Sequence, residues 1–207
     1  MKVEPADDTR ARLLRAAAEV FAERGYEGST VRDICSRAGA NVALINYYFG
    51  DKMELYTEVL RYSMTCGPAP MTMVVVSKPE DALRQLIRAM LEKMVQTGDQ
   101  ANLRYRLMLH ELAEPSAATG RVFQQLMQPV YERLCEIAGT ILGLPADHVR
   151  TRLCAHSIIG QIAYYARSAP MLRALWPEMK MNPAQRELVA DHITEFSLAY
   201  LRQTRVP

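Results

Sequence analysis

Long apolar runs are missing from this 207-residue sequence. The longest candidate, residues 71–76, falls far short of the roughly 18–20 apolar residues of a membrane span, so no membrane association is expected. The opening stretch MKVEPADDTR has no apolar segment behind it and does not read as a secretory signal; the expected compartment is a bacterial-type cytoplasm. Closely spaced cysteines are missing too. Cys35, Cys66, Cys135 and Cys154 form no CxxC or zinc-ribbon spacing, so buried free thiols are expected and neither metal nor cofactor is. There is no glycine loop to cradle a phosphate, no HExxH and no nucleophile elbow. His110-Glu111 with His156 is the one constellation worth testing for acid–base or metal chemistry, and the protein is expected not to be an enzyme. Charge of one sign is also lacking, with 25 Lys and Arg against 23 Asp and Glu. Residues 1–62 hold nine basic and ten acidic side chains. A basic domain would mark nucleic-acid binding; here any such function must rest on motif and geometry.

What is present is an ordinary globular composition, 49% hydrophobic and 23% charged, which excludes disordered and collagen-like chains. Its periodicity is helical almost throughout. Leu13, Ala17, Val20 and Phe21 share one face of a helix that Asp7, Asp8 or Thr9 can cap and Gly25 closes. Thr30, with Asp33 three residues on, caps a short helix ending at Ala38 and Gly39. Asn41 caps a second, running to about Tyr48, and another helix spans about 52–64. Pro68, Pro70 and Pro79 interrupt any continuation, which makes the apolar linker 67–79 the expected domain joint. Beyond it, helices are expected over about 79–97, 101–113, 117–143, 146–167 and 183–204, the last opened by Asn182-Pro183. The first carries an amphipathic stripe from Leu83 to Met94, and Phe123 begins the stripe of the third. The expected fold class is all-α. A three-helix N-terminal domain spans 1–52, with a linking helix at about 52–64, and a larger helical domain spans 65–207.

The two short helices about Gly39 have the spacing of a helix-turn-helix. Ile34, Cys35, Ala38, Leu44 or Ile45, and Phe49 would hold the pair against Val20 and Phe21. Spacing alone leaves two readings open, a DNA-reading unit or a plain two-helix packing corner.

The segment FAERGYEGSTVRDICSRAGANVALINYYFGDKMELY resembles the N-terminal domain of TetR/AcrR-family transcriptional regulators. Phe21, Gly25, Tyr26, Thr30, Val31, Ile34, Ala38, Gly39, Tyr48, Phe49, Lys52, Leu55 and Tyr56 carry the likeness. The family often has Ser or Val-Ser before the recognition helix and Leu-Tyr within it, where this chain has Ala40-Asn41 and Ile45-Asn46. The C-terminal part resembles the CerR-like branch more weakly, through HELAEPSAA (residues 110–118), Gln128-Pro129 and SIIGQIAYYARSAP (residues 157–170). The resemblance implies a homodimeric regulator, a repressor, that binds a palindromic double-stranded operator and is released by an unknown small-molecule effector. The alternative is a DNA-binding protein of the same fold without small-molecule control.

Chemistry then assigns roles. Thr30 can cap its helix and donate to a phosphate, and Arg32 can reach a phosphate or groove edge. Asn41, Val42 and Ala43 begin the recognition helix, on which Asn46 suits adenine N6 and N7. Tyr47 and Tyr48 offer hydroxyls to phosphates and ring faces to thymine methyls, and Lys52 is a phosphate point charge. On the effector side, Arg106, His110, Met127, His156 and Tyr164 are the expected contacts. Their pocket is expected between the linking helix and helices 79–97, 101–113, 117–143 and 146–167. Helices 146–167 and 183–204 are expected to pair across a dimer through Ile159, Gly160, Ile162, Ala163, His192, Phe196, Ala199 and Tyr200.

Overall fold

A computed structural model describes residues 6–65, 78–95 and 99–205; the apolar residues 71–76 of the expected joint, and Cys66, lie outside them. All regular structure among the described residues is helical: α1 (Ala6–Arg24), α2 (Val31–Ala38), α3 (Val42–Phe49), α4 (Lys52–Thr65), α5 (Pro79–Met94), α6 (Asp99–Ala113), α7 (Ala117–Leu142), α8 (Val149–Arg167), α9 (Ala169–Leu175) and α10 (Pro183–Gln203). No helix among them is long and apolar enough to cross a membrane.

The chain divides into two compact units. The first holds α1–α4, α6 and the start of α7 through Met127, and the second holds α5, the rest of α7 and α8–α10. These units differ in composition from the division expected at residue 65, because α6 packs on α1 and α4. The reason lies in α6 itself, where Leu107 is fully buried in the core of the first unit and Leu103 and Met108 pack against it.

In the first unit, Leu13, Ala17, Val20 and Phe21 of α1 meet Ile34, Cys35 and Ala38 of α2 and Leu55, Tyr56 and Val59 of α4. Phe21 meets the Tyr56 ring edge-on at 4.6 Å, and Tyr26 lies 5.1 Å from Tyr56. Such aromatic pairs add about 0.5–1.5 kcal/mol beyond area burial. Asp7, Asp8 and Thr9, offered as caps, lie within α1 as described from Ala6.

In the second unit, Leu83, Leu86, Ile87 and Leu91 of α5 pack with Leu134, Ala138 and Ile141 of α7, Ala155, Ile158 and Ile162 of α8, and Val189, Ile193 and Leu198 of α10. Arg84 pairs with Asp191 at 2.5 Å and with Glu195, tying α5 to α10 across the surface. α8 starts at Val149 rather than at the expected 146. His148 is its cap, its Nδ1 accepting from Arg150 N–H at 3.1 Å. The Thr151 hydroxyl donates to the Pro145 carbonyl at 2.9 Å, which holds the preceding turn. α9 is an addition to the expected helices; Ala169-Pro170 opens it with proline in the first turn, where no amide hydrogen is needed. Asn182 and Gln185 form the capping box of α10. Cys35, Cys135 and Cys154 are free and buried.

Candidate functional site

The helix-turn-helix forms locally as its residues dictate. Thr30 N–H and the Thr30 hydroxyl both donate to Asp33 Oδ2, at 3.1 and 2.6 Å, and Asp33 N–H donates back to Thr30 Oγ1 at 3.1 Å. These bonds, and Arg24 at 3.3 Å, hold the Asp33 carboxyl below its usual range. Gly39 then takes the left-handed conformation, φ 60°, which an L side chain adopts only at a cost. Asn41 Oδ1 accepts from Ala43 N–H at 2.9 Å and starts α3. Within α3, Ile45 and Phe49 point into the core, while Leu44 and Tyr48 are half-buried. Of the two positions offered as buried, Ile45 is the one fully enclosed. The opposite face presents Val42, Ala43, Asn46 and Tyr47, the last 80% exposed.

Two expected contacts are altered by this geometry. The Thr30 hydroxyl hydrogen is already given to Asp33, so Thr30 acts as a cap and is not free to donate to a phosphate. What the start of α2 offers an anion is the Val31 and Arg32 amides, since Asp33 N–H is taken by Thr30 Oγ1. Lys52 is not a free point charge: its Nζ sits 4.2 Å above the Tyr26 ring. Such a contact keeps an ammonium's donors available while fixing its position. Arg37, at the far end of α2, is held by Glu23 through two bonds of 2.7 Å. Those bonds lower the Glu23 carboxyl and raise the guanidinium. They also fasten α2 to α1. Arg32, by contrast, is exposed and has no partner among the described residues.

The residues expected to meet an effector fall in both units. Arg106, His110 and Met127 belong to the first, His156 and Tyr164 to the second, so neither unit by itself gathers all five. His110 is occupied within the fold of its own unit, where its Nε2–H donates to the Ala22 carbonyl at 3.2 Å. Its ring also fills the space beside Gly25, where an added Cβ would meet Nδ1 at 3.0 Å. With φ 70° as well, Gly25 both ends α1 and admits His110. Arg106 and Tyr164 are exposed, Met127 is exposed near the end of the first unit, and exposed His156 lies 3.4 Å from the Tyr131 hydroxyl.

Glu111, offered with His110 and His156 for acid–base or metal chemistry, is buried, and its partners Tyr56 and Ser116 are what sequence reasoning missed. Tyr56 donates to its Oε1, and the Ser116 amide and hydroxyl donate to Oε2 at 3.0 and 3.1 Å. Burial first, and then the Glu111 carboxylate, push the Tyr56 phenol well above its usual range. Its only trace in the sequence is an acid just ahead of Pro115-Ser116, which marks a turn. Among the described residues, no group of three or more His, Cys, Asp or Glu could hold a metal ion.

The residues expected at a dimer contact also separate. Ile162 is fully buried in the core of its own unit. It therefore cannot lie on an outer surface, because the face of α8 carrying Ala155, Ile158 and Ile162 turns inward. Ile159 and Ala163 are half-buried, and Gly160, His192, Phe196, Ala199 and Tyr200 are exposed or partly so, with Phe196 and Tyr200 prominent among the exposed apolar residues. Leu153 and Val149 on α8 and Leu188 on α10 join them. A groove of about 400 Å³ runs between Leu153, Ser157 and Gln161 of α8 and Phe196, Tyr200 and Gln203 of α10.

Residues 13–59 match the family described as bacterial regulatory proteins, tetR family. Residues 79–202 match the C-terminal domain of the HTH-type transcriptional dual regulator CecR. The C-terminal likeness expected from residues 110–118, 128–129 and 157–170 falls within this match, which is to the CecR type. Among similar proteins, the dual regulator CecR of Shigella flexneri is 28% identical over 203 residues, 91% of this chain and 89% of its own length. The transcriptional repressor NicS of Pseudomonas putida is 27% identical over 214 residues, 99% of this chain and 96% of its own. Among solved structures, the transcriptional regulator FadR of Bacillus subtilis, in complex with stearoyl-CoA, superposes with a TM-score of 0.63. It is 20% identical and spans 91% of this chain and 97% of its own; that likeness speaks to the fold.

Proposed function

Because the chain belongs to the tetR family of bacterial regulatory proteins, with a C-terminal domain of the CecR type, we propose that this transcriptional regulator is a cytoplasmic homodimeric repressor that reads a palindromic operator and leaves it when a small organic effector binds. The observation that carries the reading is the outward face of α3. Val42, Ala43, Asn46 and Tyr47 stand exposed on a helix that Ile45 and Phe49 anchor from behind. A helix-turn-helix uses such a face against base edges while its first helix crosses the backbone. Arg32, Lys52, Tyr48 and the amides at the start of α2 then serve as phosphate contacts.

A palindrome calls for a two-fold protein. The exposed apolar residues of α8 and α10, with Gly160 leaving open space beside them, supply a self-complementary face for it. Ile159 and Ala163, at its edge, and His192, Phe196, Ala199 and Tyr200 are the proposed contacts. The effector acts by population shift, binding better to a dimer whose recognition helices are badly spaced for successive major grooves. An amphipathic molecule fits this reading, since the fold relative FadR is seen with stearoyl-CoA. Arg106 and Met127 remain candidate contacts in the first unit, and His156 and Tyr164 in the second, each taken by itself.

Selection from a randomised duplex library tests the DNA reading. Wild type is expected to enrich a palindrome with half-sites one helical turn, or a multiple, apart. Asn46→Ala should relax preference at one position per half-site, by roughly 1–3 kcal/mol. Lys52→Ala should weaken every duplex alike and reduce the salt slope by about 0.9 per subunit. Enrichment of no sequence would remove the operator reading. A response of the bound complex to no amphipathic ligand would favour the form without small-molecule control.

A further inference from the structure

Apart from Arg32, the cations around the recognition helix are held by partners: Arg37, Arg24, Arg10 and Lys52. Arg37 is held by Glu23 and lies 3.8 Å from Glu19. Arg24 pairs with Asp33 at 3.3 Å. Arg10 bonds Glu58 at 3.1 Å and lies over the Phe49 ring. Lys52 is poised over Tyr26. α3 itself, VALINYYF, carries no charged side chain at all. Arg32 is the one arginine on α2 or α3 without a partner among the described residues, and it sits in the first turn of the helix that crosses the backbone.

Guanine is read in the major groove chiefly by Arg or Lys on O6 and N7, adenine by Asn or Gln on N6 and N7, and thymine by apolar contact with its C5 methyl. The outward face of α3 holds the second and third kinds of reader and lacks the first. Asn46 is exposed, and its side-chain amide has no partner among the described residues. Asn41 is not a second such reader, because its Oδ1 is used by Ala43 N–H. Val42 and Ala43 supply methyl groups one turn before Asn46 and Tyr47, on the same face. The Tyr47 ring, held edge-on to Tyr48 at 4.9 Å, extends that apolar strip.

We infer that the base pairs under α3 in each half-site are A·T pairs, recognised by the Asn46 amide on one adenine and by Val42, Ala43 and the Tyr47 ring on thymine methyl groups. This rests on the operator reading and names the bases that it uses. Specificity then comes from an amide and from buried methyls, with the cations confined to the backbone.

The test uses the full-length protein and the duplex enriched from a random library, with α3 located on it by methylation and hydroxyl-radical footprinting. A·T pairs are expected under α3. Replacing each thymine there by deoxyuridine, which removes only the C5 methyl, should weaken binding about fourfold per contacted methyl. With Val42→Ala the penalty at one thymine should shrink, while the other replacements keep theirs. Asn46→Ala should lose about tenfold or more of the preference for one adenine. A G·C pair required under α3, or deoxyuridine duplexes bound as tightly as the parent, would overturn the inference while leaving sequence-specific binding intact. If the library yields no enriched sequence, the operator reading fails and the inference with it.

Discussion

Phe196→Glu is expected to convert the protein to monomers that retain their fold and lose the operator. Phe196 is 63% exposed on α10, beside the groove shared with Leu153 and Tyr200. In the monomer a glutamate there remains in water and costs little. At a paired α8–α10 face it would be an unpaired charge taken out of water. A cost of roughly 3 kcal/mol weakens self-association on the order of a hundredfold. Sedimentation equilibrium at micromolar concentration reads the loss of dimer, and circular dichroism the retained helix. Leu153→Glu should behave in the same way. Ile162→Ala should behave oppositely. That side chain is fully enclosed by its own unit, so truncation leaves a cavity and costs about 2–5 kcal/mol of stability without touching the surface. A Phe196→Glu protein that remained dimeric would place the two-fold contact elsewhere.

The second large effect is expected at Glu111, which is buried and satisfied by three donors from Tyr56 and Ser116. Glu111→Ala leaves the enclosed Tyr56 hydroxyl without its acceptor, and an unsatisfied buried group costs about 1–3 kcal/mol. The Ser116 amide and hydroxyl, half-exposed, turn to water at a smaller cost. Tyr56→Phe removes one donor and leaves Glu111 the other two, so its loss should be the smaller of the pair. Urea unfolding with an unchanged slope separates the two values. The phenol adds a dependence on pH. Its proton is held more tightly in the folded protein than in the unfolded chain, where a tyrosine titrates near 10. Its contribution is therefore complete below about pH 10 and is lost as pH rises through the raised folded value. The alkaline decline of stability should be shallower in Tyr56→Phe than in wild type. Equal alkaline declines would show that Tyr56 titrates alike in both states.

The helix-turn-helix is legible in the sequence because its signals are local. Thr30 with Asp33, Gly39 and Asn41 act on backbone groups within four residues of themselves, and the structure has each cap where spacing puts it. The inward set of α2 and α3 follows from a period of 3.6 in the same way. The candidate effector and dimer residues are less legible, because a stripe of apolar side chains does not say which of its faces is covered. α8 is apolar on two sides; Ile162 and Ile158 turn inward, and Leu153 and Val149 turn outward.

The sequence by itself determined the helical class, the caps and turns of α2 and α3, the outward side chains of the recognition helix and the family to which the chain belongs. All of these depend on neighbours in the chain or on residues kept in order. Only the tertiary structure decided what each polar group is free to do. Arg37 is taken by Glu23, Lys52 is poised over Tyr26, His110 reaches back to Ala22, and Glu111 closes on Tyr56. These four partners lie 14, 26, 88 and 55 residues away. No periodicity records them, because a hydrogen bond or ion pair depends on where two helices meet, and that is set by the packing of the core between them.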